Sequence, residues 1–252
     1  MKVLISGVKG QLGKSVFDLI NSSNNNSIEV LGLDKIEFNL QDFDHCKKVI
    51  NKFKPNWIIN TAAYTAVDLA QSNRDLAFSV NAKGVENLAK SVSNIGGKLI
   101  HISTDFVFDG NKKTPYKTKD ICHPINTYGE SKLLGEKLAL KHPGTLILRT
   151  SWLYSHYGRN FCLTMLKLHK KNHQKNTPLK VVSDQMGSPT SCNSLAGVCW
   201  QIINTKFKDK PSKKIFHWSD KGIITWYEFS KAIGILGKKL NLIDSPAEVI
   251  PI

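Results

Sequence analysis

The chain has 252 residues, 41% of them hydrophobic and 22% charged, enough to bury one sizeable core and too apolar for a disordered or fibrous protein. No apolar run approaches the roughly 20 residues of a membrane helix, and Met1-Lys2-Val3-Leu4-Ile5-Ser6 is too short for a signal peptide, so a cytoplasmic protein with no membrane partner is expected. The formal charge is +15, yet only three of the 35 basic residues are Arg, and the pairs Lys112-Lys113, Lys170-Lys171, Lys213-Lys214 and Lys238-Lys239 lie far apart without interleaved aromatics. This is the pattern of solvated surface charge that attracts small anions, with no nucleic-acid partner expected.

Short β-type runs alternate with helical patterns along the first half, the mark of a parallel sheet covered by helices on both faces. Strands are expected over residues 2–6, 28–34, 57–60, 98–103 and 145–150. Between them, helices are expected over about 11–21, from Asp42 as N-cap to just before Pro55, over 74–93, and over 128–142. The cluster Asn21-Ser22-Ser23-Asn24-Asn25-Asn26 should end the first helix, Gly96-Gly97 the third and Pro143-Gly144 the fourth. Beyond Thr150 the alternation weakens. The expected architecture is a doubly wound α/β Rossmann-type sheet over 1–150, with segments near 195–218 returning to it and a smaller substrate lobe from 151–194 and 219–252.

Gly7, Gly10 and Gly13, in Gly7-Val8-Lys9-Gly10-Gln11-Leu12-Gly13, follow the first strand and open a helix. At such a turn, backbone N–H groups can approach a pyrophosphate, and the helix N-terminus favours the anion. Asp34 closes the second strand, where a carboxylate can accept from a ribose hydroxyl and repel a 2′-phosphate; Lys35 beside it offsets that repulsion, so NAD(H) is mildly favoured over NADP(H). A turn-capping role for Asp34 stays open. Five dispersed cysteines (Cys46, Cys122, Cys162, Cys192, Cys199) without a CxxC pair, and scattered histidines, point to reduced thiols and no metal site.

Tyr128 and Lys132 are four residues apart at the start of a helix and share a face. A neighbouring ammonium favours the phenolate, so Lys132 together with a nearby nicotinamide cation is expected to bring the pKa of the phenol toward neutrality, making it a general acid. Ser103-Thr104-Asp105 emerges at the carboxyl edge of the sheet, where doubly wound folds bind ligands, and the Thr104 hydroxyl can reach a substrate carbonyl. A strand-end turn cap is the alternative for Ser103 and Thr104.

Together with Asn60-Thr61-Ala62-Ala63 and Asn81, these residues resemble the extended short-chain dehydrogenase/reductases. The segments Thr65-Ala66-Val67-Asp68, Ser103 to Gly110, Tyr128-Gly129-Glu130-Ser131-Lys132, Arg149 to Tyr154 and Asp184 to Thr190 resemble the dTDP-4-dehydrorhamnose reductases, and the likeness covers nearly the whole chain. The resemblance implies NAD(P)H-dependent reduction of a nucleotide-linked 4-keto sugar, with Tyr128 as proton donor, Lys132 on the nicotinamide ribose and Thr104 on the carbonyl. It implies that Gly7, Gly10, Gln11, Leu12, Gly13, Asp34, Asn39, Leu40, Ala62, Ala63, Tyr64 and Asn81 serve the cofactor, and that Val67, Thr104, Asp105 and Trp152 contact the sugar.

Asn39 stands where the family usually has Asp, which weakens the expected grip on adenine. Ser15 and Asn193 replace glutamates linked to a metal-bridged dimer in some members; that mode is unsupported, and self-association as a homodimer stays open. The chain stops at Ile252, before the basic segment that normally follows in the family. Two other readings stand beside this one: a non-catalytic nucleotide-binding regulatory subunit similar to the methionine adenosyltransferase beta subunit, and a reductase or epimerase of another nucleotide-linked 4-keto-6-deoxy sugar.

Overall fold

The computed structural model describes residues 1–23, 27–205 and 214–252. The chain runs β1 (Lys2–Ser6), α1 (Gln11–Ser22), β2 (Glu29–Leu33), α2 (Phe43–Phe53), β3 (Trp57–Asn60), α3 (Val67–Ala70) and α4 (Arg74–Phe78). A π-helical turn, Ser79–Lys83, joins α4 to α5 (Gly84–Ser93), followed by β4 (Lys98–Thr104), α6 (Thr127–Ala139) and β5 (Thr145–Thr150). The remainder comprises β6 (Leu153–Tyr154), α7 (Phe161–Gln174), β7 (Leu179–Val181), β8 (Met186–Gly187), β9 (Thr190–Ser191) and α8 (Cys192–Asn204). After these come β10 (Ile215–His217), β11 (Ile224–Thr225), α9 (Trp226–Lys239) and β12 (Val249–Pro251).

Six strands form one parallel sheet in the order β10-β5-β4-β3-β1-β2. Its central strands are buried on both faces, which is why they read as continuous apolar runs. Val3, Ile5, Ile59, Ile100 and Leu148 pack with α1 and α8 on one side, while Leu4, Ile58, Leu99 and Ile147 pack with α2, α5 and the end of α6 on the other. Phe216 of β10 joins the first layer, so the late segments on either side of 206–213 return to the sheet; 206–213 itself, with Lys213, lies outside the described residues. Two more short parallel pairs, β6 with β9 and β7 with β12, and the antiparallel pair of β8 with β11 lie outside the main sheet. There α7 and α9 enclose a separate small core of Met165, Leu179, Val181, Ile233 and Ala247.

The helix expected over 74–93 is broken by the π turn. The wide turn carries buried Asn81, whose amide accepts from Tyr64 N (2.8 Å) and donates to Tyr64 O (3.0 Å) and Ser131 Oγ (3.0 Å). Helix α6 begins at Thr127, with the Asn126 side chain accepting from Gly129 N, and ends at Ala139 rather than at His142. The residue before Pro143 disfavours the helical region, and the last turn tightens through Lys141 N→Leu138 O and His142 N→Ala139 O. Asn24–Asn26 of the polar cluster expected to end α1 lie outside the described residues; the helix itself closes at Ser23.

Gly135 fixes how closely α6 crosses the π turn, because a Cβ there would sit 2.0 Å from Asn81 O. Backbone cannot yield as a flexible side chain can. Gly135→Ala should therefore lower stability by about 2 kcal/mol or more, read as a fall in the urea midpoint at unchanged slope.

Candidate active site

A cleft of about 670 Å³ runs along the carboxyl edge of the sheet. One end is the turn after β1. Gly7 has φ +77°, and a Cβ on it would lie 2.8 Å from Ala62 Cα, while one on Gly13 would lie 2.2 Å from Gly7 O. Only bare backbone fits this cradle. Helix α1 starts there with Gly10 as N-cap, no side-chain cap and no acidic residue in its first turn, so its free donors face the cleft. Gln11 ties this end to the later part of the chain, donating to Leu153 O and accepting from Asn160 Nδ2. These residues fit the pyrophosphate of a dinucleotide.

Asp34 is buried beside the cradle. Its Oδ1 accepts from Ile36 N (2.8 Å), the turn-capping role, and its Oδ2 pairs with Lys9 Nζ. The Lys9 ammonium and the Ile36 amide hold the carboxyl below the usual Asp range. Both readings of Asp34 thus describe one residue: one oxygen caps, the other carries a lysine that the spacing rules did not single out.

At the other end stand Thr104, Asp105, Tyr128 and Lys132. Thr104 Oγ1 donates to Asp105 Oδ1 (3.0 Å) and accepts from Phe106 N (3.2 Å), so the strand-end cap is also real. Phe106 meets the Tyr128 ring edge-on at 5.6 Å. Burial pushes the Tyr128 phenol up to about 12; the Thr104 hydroxyl opposes this and Asp105 adds to it. In the protein alone this runs opposite to the downward shift expected from Lys132 and a nicotinamide cation together. The lysine ammonium is itself penalised by burial, which brings it down to about 8, and Nζ is turned to the strand, donating to Ile102 O at 2.7 Å. Desolvation outweighs the pairing.

Helix α6 is locked to the sheet by a buried ion pair. Arg149 Nε and Nη2 meet Glu136 Oε1 and Oε2 at 2.9 and 2.6 Å, and Ser103 Oγ donates to Glu136 Oε1 at 2.5 Å. Arg149 also donates to Cys122 Sγ. Residues Lys132 and Glu136 are one turn apart, so this clamp fixes the azimuth of the helix face that carries Tyr128 and Lys132. Sequence reasoning missed it; polar residues inside otherwise apolar strands were the available signal.

Val67, Ala62, Ala63, Leu12 and Trp152 line the cleft. Trp152 has φ +47°; its indole stacks on Trp226 at 3.4 Å, and Gly187 comes so close to it that a Cβ there would lie 2.5 Å from Cε2. Four other residues lie outside the cleft wall. Asn39 is exposed and caps Gln41 N, Leu40 is in the core, and Asn81 grips the Tyr64 backbone. Among the described residues no group of three His, Cys, Asp or Glu side chains is arranged to hold a metal, and no helix is long and apolar enough to cross a membrane.

A glycine cradle at a helix N-terminus and a Tyr-x-x-x-Lys pair on one sheet edge define a Rossmann-type short-chain dehydrogenase/reductase. More narrowly, the chain belongs to the RmlD substrate binding domain family, which it matches over residues 1–245. It is 42% identical to a dTDP-4-dehydrorhamnose reductase of Aggregatibacter actinomycetemcomitans over 92% of this chain and 78% of that one. Two crystal structures of dTDP-4-dehydrorhamnose reductases each superpose on all of this chain with a TM-score of 0.88. One, from Clostridium acetobutylicum, is 38% identical and covered over 84% of its length; the other, from Bacillus anthracis in complex with NADP, is 35% identical and covered over 83%.

Burial raises the Asp105 carboxyl to about 6. The folded protein then holds a proton that the unfolded chain, with an ordinary Asp, releases near pH 4. Folding stability contributed by this group is present below about pH 4 and is lost as pH rises to about 6. Asp105→Asn should gain up to about 2–3 kcal/mol on the wild type between pH 4 and pH 7, measured by urea denaturation across that range.

Proposed function

We propose that this chain reduces the C4 keto group of dTDP-4-dehydro-L-rhamnose to dTDP-L-rhamnose, using NADH or NADPH. The observation that carries the proposal is the single cleft shared by the glycine cradle and by Thr104, Tyr128 and Lys132. The bound dinucleotide supplies a hydride to the carbonyl carbon. Tyr128 gives its phenolic proton to the carbonyl oxygen, so the carbonyl becomes a secondary alcohol and the phenol a phenolate. With its ordinary ionisation pushed up to about 12, Tyr128 enters each cycle fully protonated, as a donor must. The Thr104 hydroxyl orients the carbonyl, and Lys132, whose Nζ also donates to Ile102 O, would hold the nicotinamide ribose.

In this reading residues 151–194 and 219–252 form the lobe that holds the sugar nucleotide against the 1–150 domain. Trp152 lines the cleft together with Val67 and Asp105, and an indole there suits an apolar part of the sugar. Five free thiols fit the reducing cytoplasm in which the chemistry would take place. Asp34 favours NAD(H), and Lys9 keeps that preference mild by neutralising the carboxylate where a 2′-phosphate would otherwise be repelled.

Tyr128→Phe should lower the rate of keto-sugar-dependent NAD(P)H oxidation about 10²–10⁴-fold while dinucleotide affinity is kept, measured by absorbance and by dinucleotide titration. Retained dinucleotide binding with no turnover of any 4-keto-6-deoxy sugar by the wild type would overturn the reductase reading in favour of a regulatory subunit. Lys9→Ala should raise the ratio of kcat/KM for NADH over NADPH by roughly tenfold, and an unchanged ratio would remove Lys9 from cofactor selection.

A further inference from the structure

The chain has only three arginines, and two of them are committed inside the fold. Arg149 is bound to Glu136, and Arg74 pairs with Glu130 at 2.8 Å while donating to Thr127 Oγ1 at 3.2 Å. Arg159 differs. It is exposed, its guanidinium has no ion-pair or hydrogen-bond partner among the described residues, and it lines the cleft.

Its place along the cleft is set by its neighbours. The turn 155–160 is bolted to the start of α1: Asn160 Nδ2 donates to Gln11 Oε1 at 3.3 Å, Ser155 Oγ donates to the same oxygen at 3.4 Å, and Tyr157 OH donates to Asp18 Oδ2 at 2.5 Å. Lys14 Nζ lies over the Tyr157 ring at 5.0 Å. Gly158 has φ +66°, and a Cβ on it would touch Gln11 Cβ at 3.8 Å. Both chain neighbours of Arg159 therefore meet Gln11, the residue that follows the Gly10 N-cap. Arg159 leaves the chain at the cradle end of the cleft.

The other cations of the cleft wall have different stations. Lys132 Nζ donates to Ile102 O, Lys9 is paired with Asp34, and Lys35 follows Asp34 at the end of β2. No carboxylate competes for Arg159, because the first turn of α1 has no acidic residue and Asp18, the only acid of that helix, accepts from Tyr157.

We infer that Arg159 binds the diphosphate of the dinucleotide and completes the glycine cradle with a full positive charge. The helix N-terminus supplies only about half an elementary charge, whereas a dinucleotide diphosphate is a dianion. A guanidinium is permanently charged, and its paired N–H donors match phosphate oxygens. The inference rests on the dinucleotide binding of the reading above and not on the reduction. Since Arg159 belongs to 151–194, the contact lets a bound dinucleotide tie the proposed substrate lobe to the 1–150 domain.

The test is a calorimetric titration of the whole chain and of Arg159→Met with NADH, NADPH, ADP-ribose and dTDP. The substitution should raise Kd for NADH and NADPH by the same factor, about tenfold, with a similar rise for ADP-ribose, which keeps the diphosphate and lacks the nicotinamide. An unchanged Kd for NADH would overturn the inference. A loss confined to NADPH would assign Arg159 to the 2′-phosphate, and a loss with dTDP but not ADP-ribose would assign it to the sugar nucleotide; either result also overturns it. The side chain is exposed and unpartnered, so Arg159→Met should keep the wild-type urea midpoint. An independent measurement uses the wild type: NADH should suppress phenylglyoxal labelling of Arg159, read by peptide mass spectrometry, and equal labelling with and without NADH would overturn the assignment. None of these readouts uses a keto sugar, so failure of the inference and failure of the proposed reduction are separable.

Discussion

The site depends on where the apolar layer of the sheet gives way to a polar one. On the side covered by α6, the inward residues of β4 alternate as Leu99, His101 and Ser103, and those of β5 as Ile147 and Arg149. The register pairs His101 with Ile147 and Ser103 with Arg149. One level of hydrophobic packing is thus followed by a level at which every inward group needs a partner in a dry place. A buried polar group left unpaired costs about 1–3 kcal/mol, and a buried charge more, so α6 is accepted there only in the azimuth that brings Glu136 to Arg149 and Lys132 to His101. Burying the pair is no bargain for stability compared with apolar packing. What it supplies is a unique placement of the helix, and hence of Tyr128.

The two ends of the cleft use charge in opposite ways. At the cradle, exposed Lys9 pairs with buried Asp34, and the helix N-terminus carries no side-chain cap or acidic residue. At the reacting end the groups are driven toward their neutral forms: the phenol up, the lysine down, the Asp105 carboxyl up. The first arrangement suits a charged ligand from solution, whereas in the second burial holds the proton on Tyr128 and Asp105 and disfavours the charge on Lys132.

Much of this architecture was legible in the sequence, because it rests on local signals. The five strands with continuous apolar runs, the glycine turn, the Asp42 cap and the Tyr-Lys spacing each have a short-range cause. The π turn did not, since it is fixed by the contact of Asn81 with Tyr64 and Ser131, which are distant in sequence. The acidity of Tyr128 was misjudged for a related reason: helical spacing puts Lys132 on the right face but is silent on the desolvation that both side chains undergo. Asn39, Leu40, Tyr64 and Asn81 carried family expectations, yet three of them serve caps, core or loop anchoring, and Tyr64 is held by its backbone.

His101 illustrates what a single sequence conceals. Read alone, a histidine inside Leu99-Ile100-His101-Ile102 is a buried polar residue with an unknown partner, and helical or strand periodicity gives it no role. Its meaning comes from two pairings across the sheet and one donor whose identity is beyond doubt, the Ala62 amide. Once that N–H fixes the Asn60 amide, its NH₂ group faces His101 Nδ1, which must accept from it.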